Sequence, residues 1–155
     1  MMLSTTEKFE LENWTYKKYL EINDNNRYEV IEGKIYMMSP APDSNHQAVS
    51  REIEFSLLAY AKKTNTGKVF DAPIDVIFDE KNVFQPDIVF ITNENLSIVK
   101  KRGIFGAPDI VVEILSPSSY TIDTVIKKSI YEKFGVKEFW IVDIANQVIE
   151  LFLLE

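Results

Sequence analysis

The stretch that decides the fold runs from Pro108 to Asp143: PDIVVEILSPSSYTIDTVIKKSIYEKFGVKEFWIVD. It reads as strand, loop, helix, turn, strand. Ile110, Val111, Val112, Ile114 and Leu115 form an apolar run rich in β-branched residues, as expected of a strand buried on both faces. One carboxylate, Glu113, interrupts that run. A charged side chain in a buried strand costs several kcal/mol unless it is paired or bound to a metal. Glu113 therefore calls for an explanation beyond packing. Upstream lies a similar element, Pro86-Asp87-Ile88-Val89-Phe90-Ile91, with its acid at the strand entrance.

Working outward, Thr15 to Ile22 reads as a short helix, ended by the polar run 23–26. Arg27 to Met37 reads as a hairpin about Glu32-Gly33. Asp43 or Ser44 can cap a long helix running to about Lys63. Its apolar positions Val49, Ile53, Leu57, Tyr60 and Ala61 fall at three- and four-residue spacing, which gives one face to pack on a sheet. Gly67 is expected as its C-terminal cap. Pro73 breaks two strands, Val69–Phe70 and Ile74–Phe78, and Phe84 to Ile91 is the next. Thr92 to Ala107 reads as a long polar connection. Val148 to Leu153 can add an edge strand. The expected fold is α/β: a mixed sheet flanked by helices, in one domain over 1–155, with 1–12 a loose lead-in.

Composition narrows the chemistry. The chain has no cysteine, which excludes disulfides, thiolate zinc sites and cysteine nucleophiles. A cytoplasmic setting is consistent with this. No basic, apolar-cored signal peptide opens the chain, and no apolar run has the length of a membrane span. The net charge is −7, from 17 basic and 24 acidic residues. That speaks against strong non-specific binding of nucleic acid, which needs a basic surface. It leaves room for an enzyme that meets nucleic acid through a local patch and a metal.

Asp87 and Glu113 can meet if their strands are neighbours, as consecutive strands usually are. Two close carboxylates repel unless a cation sits between them. Oxygen ligands with one histidine and no cysteine favour Mg²⁺ or Mn²⁺. The plain alternative is that Asp87 caps a turn and Glu113 pairs with a lysine. In the following helix, Ile122, Val125, Ile126, Ile130 and Phe134 form a stripe at about 100° per residue. Lys127 falls about 90° from the centre of that stripe, and Lys128 roughly opposite it. Asp123, Lys127 and Tyr131 share one flank. Taken alone, Lys127 reads as a snorkelling helix lysine.

PD (86–87), VEIL (112–115), D-x₃-K-x₃-Y (123–131) and GVKEFWIVD (135–143) together resemble the PD-(D/E)XK nuclease superfamily. More closely, they resemble its branch of restriction endonucleases abundant in cyanobacteria and other bacteria. The resemblance extends to YEVIEGKIYMMSP (28–40), His46 and GAPDIVVEILSPSS (106–119). It implies a Mg²⁺-dependent endonuclease acting on DNA, with Asp87 and Glu113 as metal ligands. The superfamily's usual lysine position holds Leu115, and in this branch the lysine has moved to the helix, where Lys127 matches it. Glu29 matches the acid of the family's Tyr-Glu motif and is expected to complete the metal site, with Glu32 its solvated rival in the turn. His46 alone is a helix-start hydrogen bonder, and the resemblance places it at the site. Asp75 reads as structural, and Phe139 and Trp140 as core. A homodimer fits cleavage of two strands. The alternative is a nuclease-like domain that binds a protein partner or nucleic acid without cutting, favoured by the acidic balance and by Leu115.

Overall fold

The computed structural model describes residues 13–117 and 119–155. The lead-in expected over 1–12 lies outside the described residues. The elements in order are α1 (Tyr16–Tyr19), the hairpin β1 (Tyr28–Ile31) and β2 (Lys34–Met37), and α2 (Ser44–Thr64). Then come β3 (Gly67–Asp71), β4 (Val76–Asp79), β5 (Asn82–Phe84) and β6 (Ile88–Thr92). A 3₁₀ segment (Asn93–Ile98), β7 (Val99–Lys100), β8 (Gly103–Phe105) and β9 (Ile110–Ile114) follow. A π-helical segment (Ile122–Lys127) runs into α3 (Lys128–Phe134), and β10 (Glu138–Asp143) and β11 (Val148–Leu153) close the chain.

The strands divide into two mixed sheets. One has the order β2-β1-β5-β4-β8-β7, the other β11-β10-β9-β6-β3. The expected mixed sheet flanked by helices is present as the second of these, and the first lies alongside it. The short segments in the middle of the chain build the added sheet. Within the stretch read as a polar connection, β7 and β8 pair antiparallel, and β8 lies parallel to β4. These strands are two and three residues long, too short for a period-two pattern to be visible.

Alternation along the strands sorts the core into layers. Val111 of β9, Val89 and Ile91 of β6, and Phe139 and Ile141 of β10 point into the space between the sheets. There they meet Ile31, Val76, Phe84 and Ile104 of the other sheet, and Ile130 and Tyr131 of α3. The opposite face of the five-stranded sheet, with Ile88, Val112, Ile114 and Val142, is covered by Val49, Ile53 and Leu57 of α2. A smaller cluster about Trp14, Tyr28, Val30 and Val83 sits on the outer face of the other sheet, where α1 covers it. As expected, Phe139 is fully buried and Trp140 packs beneath α2.

Several expectations are corrected. Tyr60 is exposed rather than part of the packed face of α2. The cap of α2 is Asn65, in the left-handed conformation at φ 52°. Gly67 instead opens β3, where a Cβ would collide with the Ile91 carbonyl oxygen and approach Phe90 Cζ to 2.8 Å. Glycine is needed there for close approach of the strands. Phe84 to Ile91, read as one strand, is split between Asn82–Phe84 and Ile88–Thr92, which lie in different sheets, and the helix read over Thr15 to Ile22 is shorter, Tyr16–Tyr19. Of the two expected caps of α2, Asp43 serves, accepting from the His46 N–H at 2.9 Å. Glu32 and Gly33 turn the hairpin with φ of 51° and 79°, the paired positive values that a tight two-residue hairpin turn requires.

The stripe on the third helix is also corrected. Val125 is exposed, whereas Asp123, Lys127, Ile130 and Tyr131 are buried. The cause is the π-helical segment. Its wider turns bring residues four apart into line and rotate the inward face from Val125 to the Asp123–Lys127–Tyr131 flank. Lys127 therefore lies at the centre of the buried face, not at its border. Lys128 is half-buried, with its ammonium 3.7 Å above the Phe152 ring, rather than pointing freely to solvent.

Candidate functional site: a lysine among buried acids

Four segments converge on the edge of the space between the sheets. β9 supplies Glu113, whose neighbours Val112 and Ile114 face α2 while it faces inward with Val111. β6 lies antiparallel to β9 with Ile88 opposite Val112, so Asp87, one residue earlier, stands beside Glu113 on the same face. β1 supplies Glu29, on the inward side with Ile31. The π-helical segment supplies Asp123 and Lys127.

The Lys127 ammonium lies 2.9 Å from Glu29 Oε1, 2.9 Å from Glu113 Oε1 and 3.2 Å from Asp123 Oδ1. The Tyr131 hydroxyl donates to Glu113 Oε1 at 2.7 Å, and the Gln85 backbone N–H donates to Glu29 Oε1 at 2.8 Å. Asp87 Oδ2 accepts from the Ile114 N–H at 2.7 Å, and Oδ1 lies 3.5 Å from His46 Nε2. Asp87, Glu113, Lys127, Glu29 and His46 all line one cavity of about 210 Å³.

Burial sets the protonation behaviour. It pushes the Glu113 carboxyl well above its ordinary value, and nearby Asp123, Asp87 and Glu29 push the same way against Lys127. Asp123 is raised for the same first reason, desolvation. Burial alone would lower Lys127, but the charges of Glu113, Glu29 and Asp123 outweigh it and hold the ammonium protonated far above the ordinary range. Tyr131 is raised by burial and by Glu113. The hydrogen bond to Asp87 raises His46, against the effect of its burial.

One buried cation thus faces three carboxylates, with Asp87 a fourth nearby. The arrangement is short of positive charge, which suits a divalent cation. Asp87 and Glu113 are hard oxygen donors on one face, as Mg²⁺ or Mn²⁺ prefers. Both hydrogen bonds to Glu113 fall on Oε1, and among the described residues none is made to Oε2. Among the described residues, no group of three or more His, Asp and Glu side chains has metal-holding geometry. An ion held by Asp87 and Glu113 would complete its shell with water and substrate oxygens, which Mg²⁺ commonly does. Glu29 is engaged by Lys127 and Gln85 and anchors the lysine from the opposite sheet.

Glu32 sits exposed in the hairpin turn. Asp75 accepts from the Tyr19 hydroxyl at 2.8 Å and from Gln85 Nε2 at 2.9 Å. Arg27, Gln85, Asp123 and Tyr131 belong to the site's surroundings but were not among the candidate residues. The i, i+4, i+8 flank carries the signal for Asp123 and Tyr131. Gln85, next to Pro86-Asp87, and Arg27, ahead of Tyr28-Glu29, carry none that spacing alone can rank.

A model of the Uma2 family, whose description reads "Putative restriction endonuclease", matches residues 12–155. No curated protein matches the chain. A solved structure from Anabaena variabilis, described as "a putative nuclease belonging to DUF820", is similar in fold, with a TM-score of 0.77 and 23% identity. The match covers 91% of this chain and 80% of that one. The resemblance read from the motifs is met at the level of family and fold. Since the match runs through every element that carries Glu29, Asp87, Glu113 and Lys127, this chain belongs to the Uma2 family.

Proposed function

We propose that the chain is a Mg²⁺- or Mn²⁺-dependent endonuclease that hydrolyses DNA phosphodiesters. The observation that carries the reading is the convergence of Lys127 on Glu113, with Asp87 beside it across the strand pair. Family membership supports nuclease chemistry in general. Asp87 and Glu113 would hold the ion. When bound, such an ion neutralises phosphate charge and lowers the pKa of water. Tyr131 fixes the Glu113 carboxylate in place, and the Ile114 N–H fixes Asp87. Lys127, kept protonated by its acidic neighbours, would exchange one of its three carboxylate contacts for a phosphate oxygen as charge accumulates there. His46, against Asp87, orients that carboxylate and lines the entrance. Among the described residues no helix is long and apolar enough to cross a membrane. A cysteine-free chain fits action in the cytoplasm. Cleavage of both strands fits a two-fold dimer, which light scattering at micromolar concentration tests directly; a monomeric mass would remove that part of the reading.

The decisive assay is plasmid nicking by the purified chain with Mg²⁺ or Mn²⁺ and with EDTA. Nicking that requires the metal, and that Asp87→Asn and Lys127→Ala each reduce by about 10²–10³, is the expected outcome. Circular dichroism checks that both variants fold. A second reading is a nuclease-like domain that binds without cutting, favoured by the net charge of −7 and by Leu115 at the superfamily's usual lysine position. Nicking that the parent lacks under every metal condition would favour it.

A further inference from the structure

A second cavity, of about 260 Å³, lies against the first and shares Arg27, Pro42, His46 and Asp87 with it. It runs between the first turns of α2, with Ser50, Arg51 and Glu54, and the 71–73 segment after β3, which brings Asp71. We infer that the two cavities form one track for a phosphodiester backbone, in which Arg27 clamps the phosphate next to the scissile one and Arg51 takes the next. This rests on the nuclease reading and assigns the substrate contacts of that same cleft.

Arg27 carries the argument. Its Nε–H donates to Gln85 Oε1 at 2.7 Å. The orientation of that amide is set from behind, because Gln85 Nε2 donates to Asp75 Oδ1 at 2.9 Å and to the Tyr19 oxygen at 3.0 Å. The Tyr19 hydroxyl donates in turn to Asp75 at 2.8 Å. Gln85 is buried, so the network must be satisfied to be tolerated, and its one outward consequence is to aim Arg27. Holding Nε from one side leaves the two terminal nitrogens as a fork, the geometry that suits a phosphate. Among the described residues, no carboxylate forms an ion pair with Arg27 or Arg51. Glu54 and Asp71 line the same cleft but pair with neither arginine, so in a chain of net charge −7 the two guanidinium groups keep their charge for an anion from outside. Lys127 by contrast is fully committed to three acids. Arg27 lines both cavities, which puts it at the junction beside Asp87.

The test is binding of a short fluorescein-labelled DNA duplex by fluorescence anisotropy over a salt series, with Ca²⁺ and with EDTA. The parent chain should bind with an affinity that falls as salt rises. Arg27→Gln should weaken binding about tenfold and reduce the magnitude of the salt slope by about one, the loss expected for one phosphate contact. Arg51→Ala, on the exposed face of α2, should reduce the slope by a similar amount without affecting the fold. Arg27→Lys should restore the slope but not the full affinity, because it returns the charge without the fork. Unchanged affinity and slope in both Arg27→Gln and Arg51→Ala would overturn the track, even if the parent nicks plasmid, and would leave the nuclease reading standing. Loss of binding in these variants alongside a parent that never nicks would uphold the track and remove the cleavage. A parent that binds no duplex would overturn the inference outright.

Discussion

At the scale of single residues, Lys127 has two tasks that pull against each other. It is the counter-charge for Glu29, Glu113 and Asp123, and all four side chains are buried. Removing it leaves three buried carboxylates without their cation. Breaking one side of such a pair typically costs about 3–5 kcal/mol. Lys127→Ala should lose about that much in urea unfolding at neutral pH, and loss well under 1 kcal/mol would mean the acids are already neutral. Lys128→Ala removes only a cation over the Phe152 ring, a contact worth about 0.5–1 kcal/mol at an exposed site. The two neighbours should therefore differ in stability as well as in nicking. Asp109 supplies a pH test away from the cavity. Burial pushes its carboxyl up, but hydrogen bonds from Lys137, the Thr92 N–H and Asn95 outweigh this and hold it below its ordinary value. Because the folded value is the lower one, its contribution is present above the ordinary carboxylate pKa and is lost as pH falls through the folded value. Asp109→Ala should cost about 1–3 kcal/mol near neutrality, since the Thr92 N–H is left unpaired. The deficit relative to the parent should shrink in acid, and a deficit that stays constant down the pH series would reject this role.

At the scale of elements, the third helix shows where reading by periodicity stops. Strand β9, its lone acid and the following β10 were legible because a strand buried on both faces writes an apolar run, against which a single carboxylate stands out. The long helix was legible from its cap, Asp43, and its i, i+4 face. The π-helical segment was not. A change from 3.6 residues per turn leaves no composition signal, and it moved Val125 outward and Lys127 to the centre. Val125→Ser should accordingly change stability by no more than about 0.5 kcal/mol, whereas Ile130→Ala, in the same stretch, should cost about 2–5 kcal/mol. Equal costs in thermal unfolding would restore the α-helical stripe. Gly67 makes the parallel point for a strand. Read as a helix stop, it is instead a contact residue, and Gly67→Ala should lose about 1–3 kcal/mol by overpacking against Ile91 and Phe90.

At the scale of the whole molecule, the α/β class and the β1–β2 hairpin were legible, while the division of the strands into two sheets was not, because it rests on pairings distant in sequence. β5 pairs with β1 and β8 with β4, and nothing local in β5 or β8 announces either contact. The pair of acids on β6 and β9 was legible as a possibility; the family's motif brought Glu29 to the site as a metal ligand, but its ion pair with Lys127 across the two sheets was not legible. The electrostatics of the assembled cleft yield a global readout. If Asp87 and Glu113 hold a divalent ion, Mn²⁺ at about 100 times its Kd should stabilise the folded chain by about 2.7 kcal/mol. Thermal melting should register that as a rise in Tm for the parent and not for Asp87→Asn. A rise shared by both proteins would locate the ion elsewhere.

The strands of the two sheets are interleaved along the chain, with 28–37, 76–84 and 99–105 in one and 67–71, 88–92, 110–114 and 138–153 in the other. This has a consequence for biosynthesis. A chain emerging from the ribosome holds Glu29 and Asp87 early, but Lys127 and its Tyr131 neighbour arrive only after β9 has been made. Until then Glu29 is without its cation, and no shorter length carries the complete cluster. Interleaving thus ties the appearance of the cluster to synthesis of the chain through residue 131, so that a product ending before residue 127 lacks the lysine that its acids face.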